Sequence, residues 1–289
     1  MKYIFKLMLK FLSIKTPGAP YPSLFIFLFI DKLNGVYYCF VRNIINLIFK
    51  REYKLSYDKF NQIYKKIYSN GQYVYYSDKK RAVRIHLSFN DMINKLIYSY
   101  CLENITFEDN DVIIDCGANV GELGLFFTQK NLNVRYIGFE PSKKEYLVCK
   151  LNNPESAILN LGLWNEKNEL NFYIKSDTAD SSLFQIEDYI DIDTINVDRL
   201  DNIIDSEKYQ FIKLLKIDAE GAEPEILMGA SKLLNKIKYI TVDVGPERGL
   251  SLESPTKAII EILFKNNFAL LYENLERPSM LFENQNINQ

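Results

Sequence analysis

The fold of this chain is decided by residues 111–124, DVIIDCGANVGELG. A short apolar run ends in Asp115, glycines follow at positions 117, 121 and 124, and the apolar pattern resumes at Leu125. This order is typical of a buried parallel strand that turns tightly into a helix. Glycine allows backbone conformations that other residues avoid, so the turn is predicted to hold a small ligand against the main chain.

Strand and helix patterns alternate through the rest of the chain. Residues 134–139, 157–161, 212–217 and 239–244 have the length and the apolar content of strands, and most are separated by stretches with helical spacing. This alternation predicts an α/β fold with a mainly parallel, twisted sheet, helices on both faces and right-handed crossovers. The loops that follow the strands then lie at one edge of the sheet, where ligands bind.

Composition and charge divide the 289 residues into three regions. Residues 1–50 contain seven basic residues and one acid, which gives them a net charge of +6. The net charge of the whole chain is −2, so the other residues carry −8. Residues 51–105 are aromatic-rich and are predicted to be a mainly helical accessory region, with a short strand at 73–76 and a helix over 91–102. Residues 106–289 are predicted to be the main α/β domain.

The N-terminal extension predicts a contact with another surface. Lys2, Lys6 and Lys10 recur every four residues among apolar side chains, which favours peripheral binding to an anionic membrane face. The alternative is packing onto the main domain or onto a second subunit of a homo-oligomer. No apolar run reaches the roughly 20 residues that span a bilayer, and a secretory signal is poorly supported.

The cysteines indicate the redox compartment of the protein, and the net charge indicates which partners it binds. The four cysteines are widely spaced without a CxxC pair, which favours neither a zinc site nor a disulfide framework and fits a reducing cytoplasm. The net charge of −2 gives no sign of nucleic-acid binding.

Two acids predict which cofactor the turn holds. A carboxylate at Asp115, just before the turn, would repel a pyrophosphate but suits an amine or a sulfonium. Glu140 follows 25 positions later at the tip of the next strand, where a carboxylate can accept hydrogen bonds from both hydroxyls of a ribose. A ribose and a cation without phosphates describe S-adenosylmethionine. The dinucleotide motif GxGxxG is absent, which disfavours a nicotinamide dehydrogenase.

Five segments also resemble a known family. They are, in order, DVIIDCGANVGELG, IGFEPS, LNLGLWN, LLKIDAEGAEPEIL and VDVGPERG, between residues 111 and 249. In this order and spacing they are similar to the FkbM family of S-adenosylmethionine-dependent methyltransferases, and KIDAEGAE at 216–223 is the most specific part. The resemblance implies a Rossmann-like class I methyltransferase sheet and methyl transfer to oxygen, on sugars or secondary metabolites.

The resemblance also implies roles for single residues. By match of motif, the methionine part of the cofactor would be held by Asp115, Gly117, Asn119 and Gly121, the ribose by Glu140, and the active-site edge would be residues 218–223. Residues 1–105 fall outside the resemblance, so it says little about the acceptor.

Methyl transfer itself predicts what the protein must supply. The reaction is an in-line displacement at a carbon activated by positive sulfur, so the protein aligns the reactants and excludes water. A hydroxyl acceptor must also lose a proton, and Asp218, Glu220 and Glu223 are the predicted catalytic carboxylates, with Asp218 the first choice. For Glu223 the alternative is stabilisation of a helix start. His86, the only histidine, is a weak candidate base whose structural interpretation is favoured.

Other functions stay open at this point. Asp218 and Asp243 end successive strands and could share a divalent metal, but two carboxylates without a third ligand predict no metal site. The main hypothesis is an O-methyltransferase acting on a small molecule or a glycan. The alternative is a non-catalytic binding or scaffolding protein that keeps the same fold.

Overall fold

The computed structural model describes residues 30, 32–83, 88–175 and 181–287. The Lys2, Lys6 and Lys10 stripe and His86 lie outside the described residues. The helices are α1 (Gly35–Ile48), α2 (Lys79–Ala82), α3 (Phe89–Ser99), α4 (Glu122–Gln129), α5 (Lys143–Asn152), α6 (Leu200–Ile203), α7 (Glu223–Gly229) and α8 (Thr256–Lys265), with 3₁₀ turns at Leu102–Asn104 and Leu234–Lys236. The strands are β1 (Tyr53–Asp58), β2 (Ile63–Tyr68), β3 (Tyr73–Tyr76), β4 (Val112–Cys116), β5 (Arg135–Phe139), β6 (Ala157–Leu159), β7 (Gly162–Leu163), β8 (Asn168–Ile174), β9 (Asp191–Asp198), β10 (Ile212–Ile217), β11 (Ile237–Asp243), β12 (Phe268–Asn274) and β13 (Ser279–Asn284).

A seven-stranded sheet forms the centre of the protein, in the order β12-β13-β11-β10-β4-β5-β6. Its neighbours from β11 to β6 pair in parallel, and β13 pairs antiparallel with both β11 and β12. This is a Rossmann-like order in which one antiparallel strand is inserted near the edge. The predicted mainly parallel α/β sheet is therefore confirmed.

Two apolar layers cover the two faces of this sheet. Successive residues of β4 point to opposite faces, so Ile113 packs with the accessory region and α4, whereas Val112 and Ile114 pack with α6, α7 and α8. Burial on both faces explains why the central strands are rich in apolar residues. Among the described residues, no helix is both long enough and apolar enough to cross a membrane.

The accessory region differs from its prediction. Residues 53–76 form an antiparallel three-stranded sheet, β1-β2-β3, instead of mainly helix. The reason is a period of two: buried Tyr53 and Leu55 alternate with exposed Lys54 and Ser56, which suits a half-buried strand. The predicted strand at Tyr73–Tyr76 is present, and the predicted helix at 91–102 corresponds to α3.

The accessory region and the main domain share one continuous core. Hydrogen bonds cross the predicted boundary at residue 106: Thr241 Oγ1 donates to the Tyr100 carbonyl at 2.8 Å, and Asn274 Nδ2 donates to the Tyr98 carbonyl at 2.8 Å. Both reach the strands on the far side of the sheet centre. Residues 88–105 are thus an integral wall of the main domain.

Candidate active site

A cavity of 980 Å³ lies at the carboxyl ends of the parallel strands. Its lining includes Gly117 after β4, Glu140 after β5 and Asp218 after β10. The chain passes from β4 to β5 on one side and later to β10 on the other, so the cavity occupies the point where the strand order reverses, the usual ligand position in open α/β sheets. The volume is within the range of small-molecule sites.

The glycine turn is required by contacts within the protein. Gly117 has a φ of +73°, and a Cβ atom there would lie 1.8 Å from the carbonyl oxygen of Asp218. At Gly121, with a φ of +80°, a Cβ atom would lie 2.1 Å from Nδ2 of Asn153. The sequence predicted that these glycines leave room for a ligand. In the structure they leave room for neighbouring protein atoms, those of Asp218 and Asn153.

The second part of the turn is tied to Glu140. Asn119 adopts a left-handed φ of +52°, and its backbone N–H donates to Glu140 Oε2 at 2.8 Å. The N–H of Ser142 donates to the other carboxylate oxygen at 2.9 Å. Each oxygen therefore keeps acceptor capacity toward the cavity. Burial raises the pKa of Glu140 to about 7, and the nearby charge of Glu145 adds to the rise.

Asp115 lies at the floor of the cavity in a buried ion pair. Lys216 stands opposite Asp115 in the β4–β10 register, and its Nζ lies 2.8 Å from Asp115 Oδ1. Tyr136 donates its hydroxyl hydrogen to Oδ2 at 2.6 Å. Burial disfavours the charge of Lys216, but the charges of Asp115 and Asp218 and the hydrogen bond to Asp115 together outweigh it and raise the pKa of the lysine. Both oxygens of Asp115 are thus engaged within the protein.

Asp218 is held by fixed donors. Its Oδ2 accepts hydrogen bonds from the Tyr100 hydroxyl and from Arg277 Nη2, the latter at 2.9 Å. Burial would raise the pKa of Asp218, but the charges of Lys216 and Arg277 prevail and lower it. Asp218 is therefore an anion near neutral pH and a weak proton acceptor. Its Oδ1 is buried and has no hydrogen-bond partner in the described part of the chain.

The cation between Asp218 and Asp243 is an arginine. Arg277 Nε lies 3.0 Å from Asp243 Oδ2, while Nη2 of the same side chain reaches Asp218. The guanidinium also lies 4.7 Å from the centre of the Tyr100 ring. Arg277 follows β12 in the hairpin that leads to β13, so it enters the site from the antiparallel edge. A positive side chain of the protein therefore lies between the two aspartates.

The carboxylate of Glu247 lies beside those of Asp218 and Glu220, which the sequence predicted at this edge of the sheet. Carboxylate oxygens of Asp218, Glu220 and Glu247 all lie within 4.8 Å of one another, a spacing that also suits a metal ion. Burial raises the pKa of Glu247 to about 7, and the charges of Asp243 and Asp218 add to the rise. A carboxyl group with this pKa can exchange a proton near neutral pH.

Glu223 is turned away from the cavity. Its side chain is buried, and Oε1 accepts hydrogen bonds from the backbone N–H groups of Ala219 at 3.0 Å and Gly221 at 3.2 Å. Burial raises the pKa of Glu223 to about 8. The carboxyl group therefore clamps the loop between β10 and α7. The structure therefore favours a structural role for Glu223, because Oε1 is bonded to its own loop and the side chain is absent from the cavity lining. Its catalytic role stays a prediction.

Sequence reasoning missed several residues around the cavity. Arg248 donates to the Gly221 carbonyl at 2.8 Å and pairs with Glu225, so it joins the two loops that carry the carboxylates. Arg81, from the accessory region, donates to the Asn119 side chain. Lys216 and Glu247 stood within the quoted segments KIDAEGAE and VDVGPERG. Arg81 had no comparable signal.

The strand order, the glycine turn and the acid after β5 define a Rossmann-like methyltransferase fold. The comparison with known families agrees: the model of the methyltransferase FkbM domain matches residues 115–270. The chain belongs to the FkbM methyltransferase family, whose cofactor is S-adenosylmethionine.

One curated relative and several solved structures are similar. The antimetabolite synthetase AmbE of Pseudomonas aeruginosa is 23% identical over 212 residues, which cover 58% of this chain but 10% of that protein. A Streptococcus agalactiae protein of the NADB-Rossmann superfamily has a TM-score of 0.40 and 12% identity, covering 72% of this chain and 73% of its own. TrmK of M. capricolum with S-adenosyl-homocysteine has a TM-score of 0.35 and 10% identity, covering 68% and 67%.

Proposed function

We propose that this methyltransferase transfers its methyl group to a hydroxyl of a sugar, a glycan or another small molecule. The observation that supports the proposal is Glu247, whose carboxylate lies within 4.8 Å of those of Asp218 and Glu220 and whose pKa is raised to about 7. A hydroxyl acceptor must lose a proton during methylation, and a base is most effective when its pKa is close to the working pH. A neutral amine can attack without such a base.

The residues at the strand ends fit the cofactor. Glu140 keeps free acceptor positions on both oxygens, which is the chemistry that two ribose hydroxyls require. The turn at Gly117–Asn119 would hold the methionine part, next to the negative floor formed by Asp115. Asp115 is not a free carboxylate there, because its two oxygens are bonded to Lys216 and Tyr136. When bound, S-adenosylmethionine supplies a methyl carbon that its positive sulfur activates.

The carboxylates have different tasks in this proposal. Glu247 takes the proton of the acceptor hydroxyl, and Glu220, which hydrogen-bonds to it, helps to hold its orientation. Asp218 stays ionised because of Lys216 and Arg277, and its unpartnered Oδ1 is an acceptor that a bound hydroxyl would satisfy. The order of candidates predicted from the sequence therefore changes: Asp218 positions the acceptor and Glu247 acts as the base.

The test is a methyl-transfer assay with hydroxyl and amine acceptors. The protein is incubated with S-adenosylmethionine and a panel of glycosides and amines, and products are scored by a mass increase of one methyl group. We expect Glu247→Gln to reduce transfer at least about a hundredfold while the affinity for the cofactor, measured by calorimetry, is unchanged. The control is Glu261→Gln, at a side chain 67% exposed on α8. Methylation confined to amines, or a Glu247→Gln variant as fast as the wild type, would contradict the proposal.

We also propose a reducing, cytoplasmic setting for the enzyme. Cys39, Cys101, Cys116 and Cys149 are all buried free thiols in the structure, which supports this setting. A thiol titration of the denatured protein, isolated without oxygen, is expected to find four reactive thiols. A cystine in the isolated protein would contradict the proposal.

A further inference from the structure

Helix α1 exposes apolar side chains in its first two turns and again at its end. Its inner face packs Tyr38, Val41 and Ile45 against the accessory sheet. The outer face, which we call the α1 face, consists of Val36, Tyr37, Phe40, Leu47, Ile48 and Phe49. Tyr37 is 72% exposed and Leu47 is 80% exposed. A surface helix ordinarily carries charged residues outward, but the only charged residue of α1 is Arg42, which is buried.

Exposed basic residues flank the helix that carries this face. Lys32 precedes α1, and Lys50, Arg51 and Lys59 follow it. The acids of the same stretch, from residue 32 to residue 60, are Glu52 and Asp58. The stretch therefore combines an apolar centre with a positive rim.

The tip of the β1–β2 hairpin extends the same surface. The ring of Tyr57 lies against Gly35, where a Cβ atom would be 2.9 Å from it, so the end of β1 is beside the start of α1. Phe60, three residues further along, is 93% exposed at this tip. An almost fully exposed phenylalanine next to an exposed helix face suits insertion into an apolar medium.

We propose that the α1 face docks on an anionic lipid surface. Phenylalanine, tyrosine and leucine would enter the boundary between head groups and acyl chains, while the lysines and Arg51 meet the lipid charges. A symmetric pair of chains fits less well, because an isologous contact would bring the two positive rims together. The proposal goes beyond methyl transfer and does not depend on it.

Vesicle sedimentation tests the docking directly. The full chain is sedimented with vesicles of equimolar phosphatidylcholine and phosphatidylglycerol and with vesicles of phosphatidylcholine alone. We expect binding to the anionic vesicles that weakens as salt rises, and a loss of about tenfold or more in Phe40→Glu. The matched control is Phe211→Glu at the start of β10, since Phe40 is 48% exposed and Phe211 is 42% exposed. The control should bind like the wild type.

Three further results would overturn the proposal. The first is equal binding of the wild type and Phe40→Glu, or no binding of the wild type to anionic vesicles. The second is a stable dimer in sedimentation equilibrium that Phe40→Glu dissociates, since a second copy then covers the face. The third is a lower melting temperature for Phe40→Glu than for Phe211→Glu, since the face is then packed by another part of the same chain. Cofactor binding, measured by calorimetry, reports separately on the active site.

Discussion

Removing the amine of Lys216 should destabilise the protein strongly. In Lys216→Met the apolar stem is kept and the positive charge is lost. Asp115, 2.8 Å away in the wild type, then remains as a buried carboxylate whose other oxygen is bonded to Tyr136. The two side chains of the pair are 4% and 2% exposed, so water does not replace the lost partner. An uncompensated buried charge is among the few causes of a large loss from one substitution.

The size of the loss follows from this burial. Breaking a buried ion pair by removing one partner costs about 3–5 kcal/mol, against a total stability of about 5–15 kcal/mol for a native protein. Replacing both partners is often nearly neutral, because no charge is left buried. We therefore expect the double variant Asp115→Asn with Lys216→Met to lose less than the sum of the two single variants.

The measurement is the free energy of unfolding in urea, followed by circular dichroism, for the wild type, both single variants and the double variant. Lys213→Met is the matched control: it makes the same change three positions earlier in β10, at a buried lysine without an ion-pair partner among the described residues. The Lys213 amine lies 5.7 Å from the centre of the Tyr239 ring, so we expect the control to lose about 1 kcal/mol or less. Equal losses for Lys216→Met and Lys213→Met, or strictly additive losses in the cycle, would refute the reasoning.

Three other predictions concern the turn, the ribose ligand and the loop clamp. Gly117→Ala should abolish stable folding in thermal unfolding, because its Cβ would lie 1.8 Å from the Asp218 carbonyl oxygen, whereas Gly71→Ala, at φ +85° with no atom within 4 Å, should cost only about 1–2 kcal/mol. Glu140→Ala should weaken S-adenosylmethionine binding by about 1.5–3 kcal/mol in calorimetry, and an unchanged affinity in a folded variant would remove Glu140 as the ribose ligand. Burial raises the pKa of Glu223 from 4.5 to about 8 in the folded state, so its contribution to stability is complete below pH 4.5 and is lost as the pH rises through 8. Glu223→Gln should flatten that part of the profile of unfolding free energy against pH, and an unchanged slope would contradict the assignment.

The central sheet could be predicted because its signal is local. The strands β4, β5, β10 and β11 are rich in apolar residues, and an acid lies at or beside the end of each of them; both features are visible in the sequence. The accessory sheet could not be predicted in the same way. Its tyrosines and lysines suit a helix surface as well as a strand, and only the pairing with α1 and between the strands decides in favour of the strand.

The candidate site was partly predictable for a related reason. Parallel strands end at one edge, so Asp115, Glu140 and Asp218 had to line a common cavity. The partners of these acids depend on strand register and on side-chain direction. The pairing of Lys216 with Asp115 needs the β4–β10 register, and the approach of Arg277 needs the inserted strand β13, neither of which the sequence specifies. For the same reason the sequence does not show that the Glu223 side chain turns away from the cavity and toward its own loop.

The contacts between the accessory region and the last strands set the order in which the protein can fold during synthesis. Ser279 donates its hydroxyl hydrogen to the Ser99 carbonyl at 2.5 Å, and the two residues are 180 positions apart. The wall formed by α3 therefore stays unfinished until β13 has left the ribosome. During that interval its apolar residues are exposed to other chains, and contacts between distant residues form slowly. Fragments that end before residue 279 lack this contact and the whole of β13, so they leave the wall formed by α3 without one of its partners.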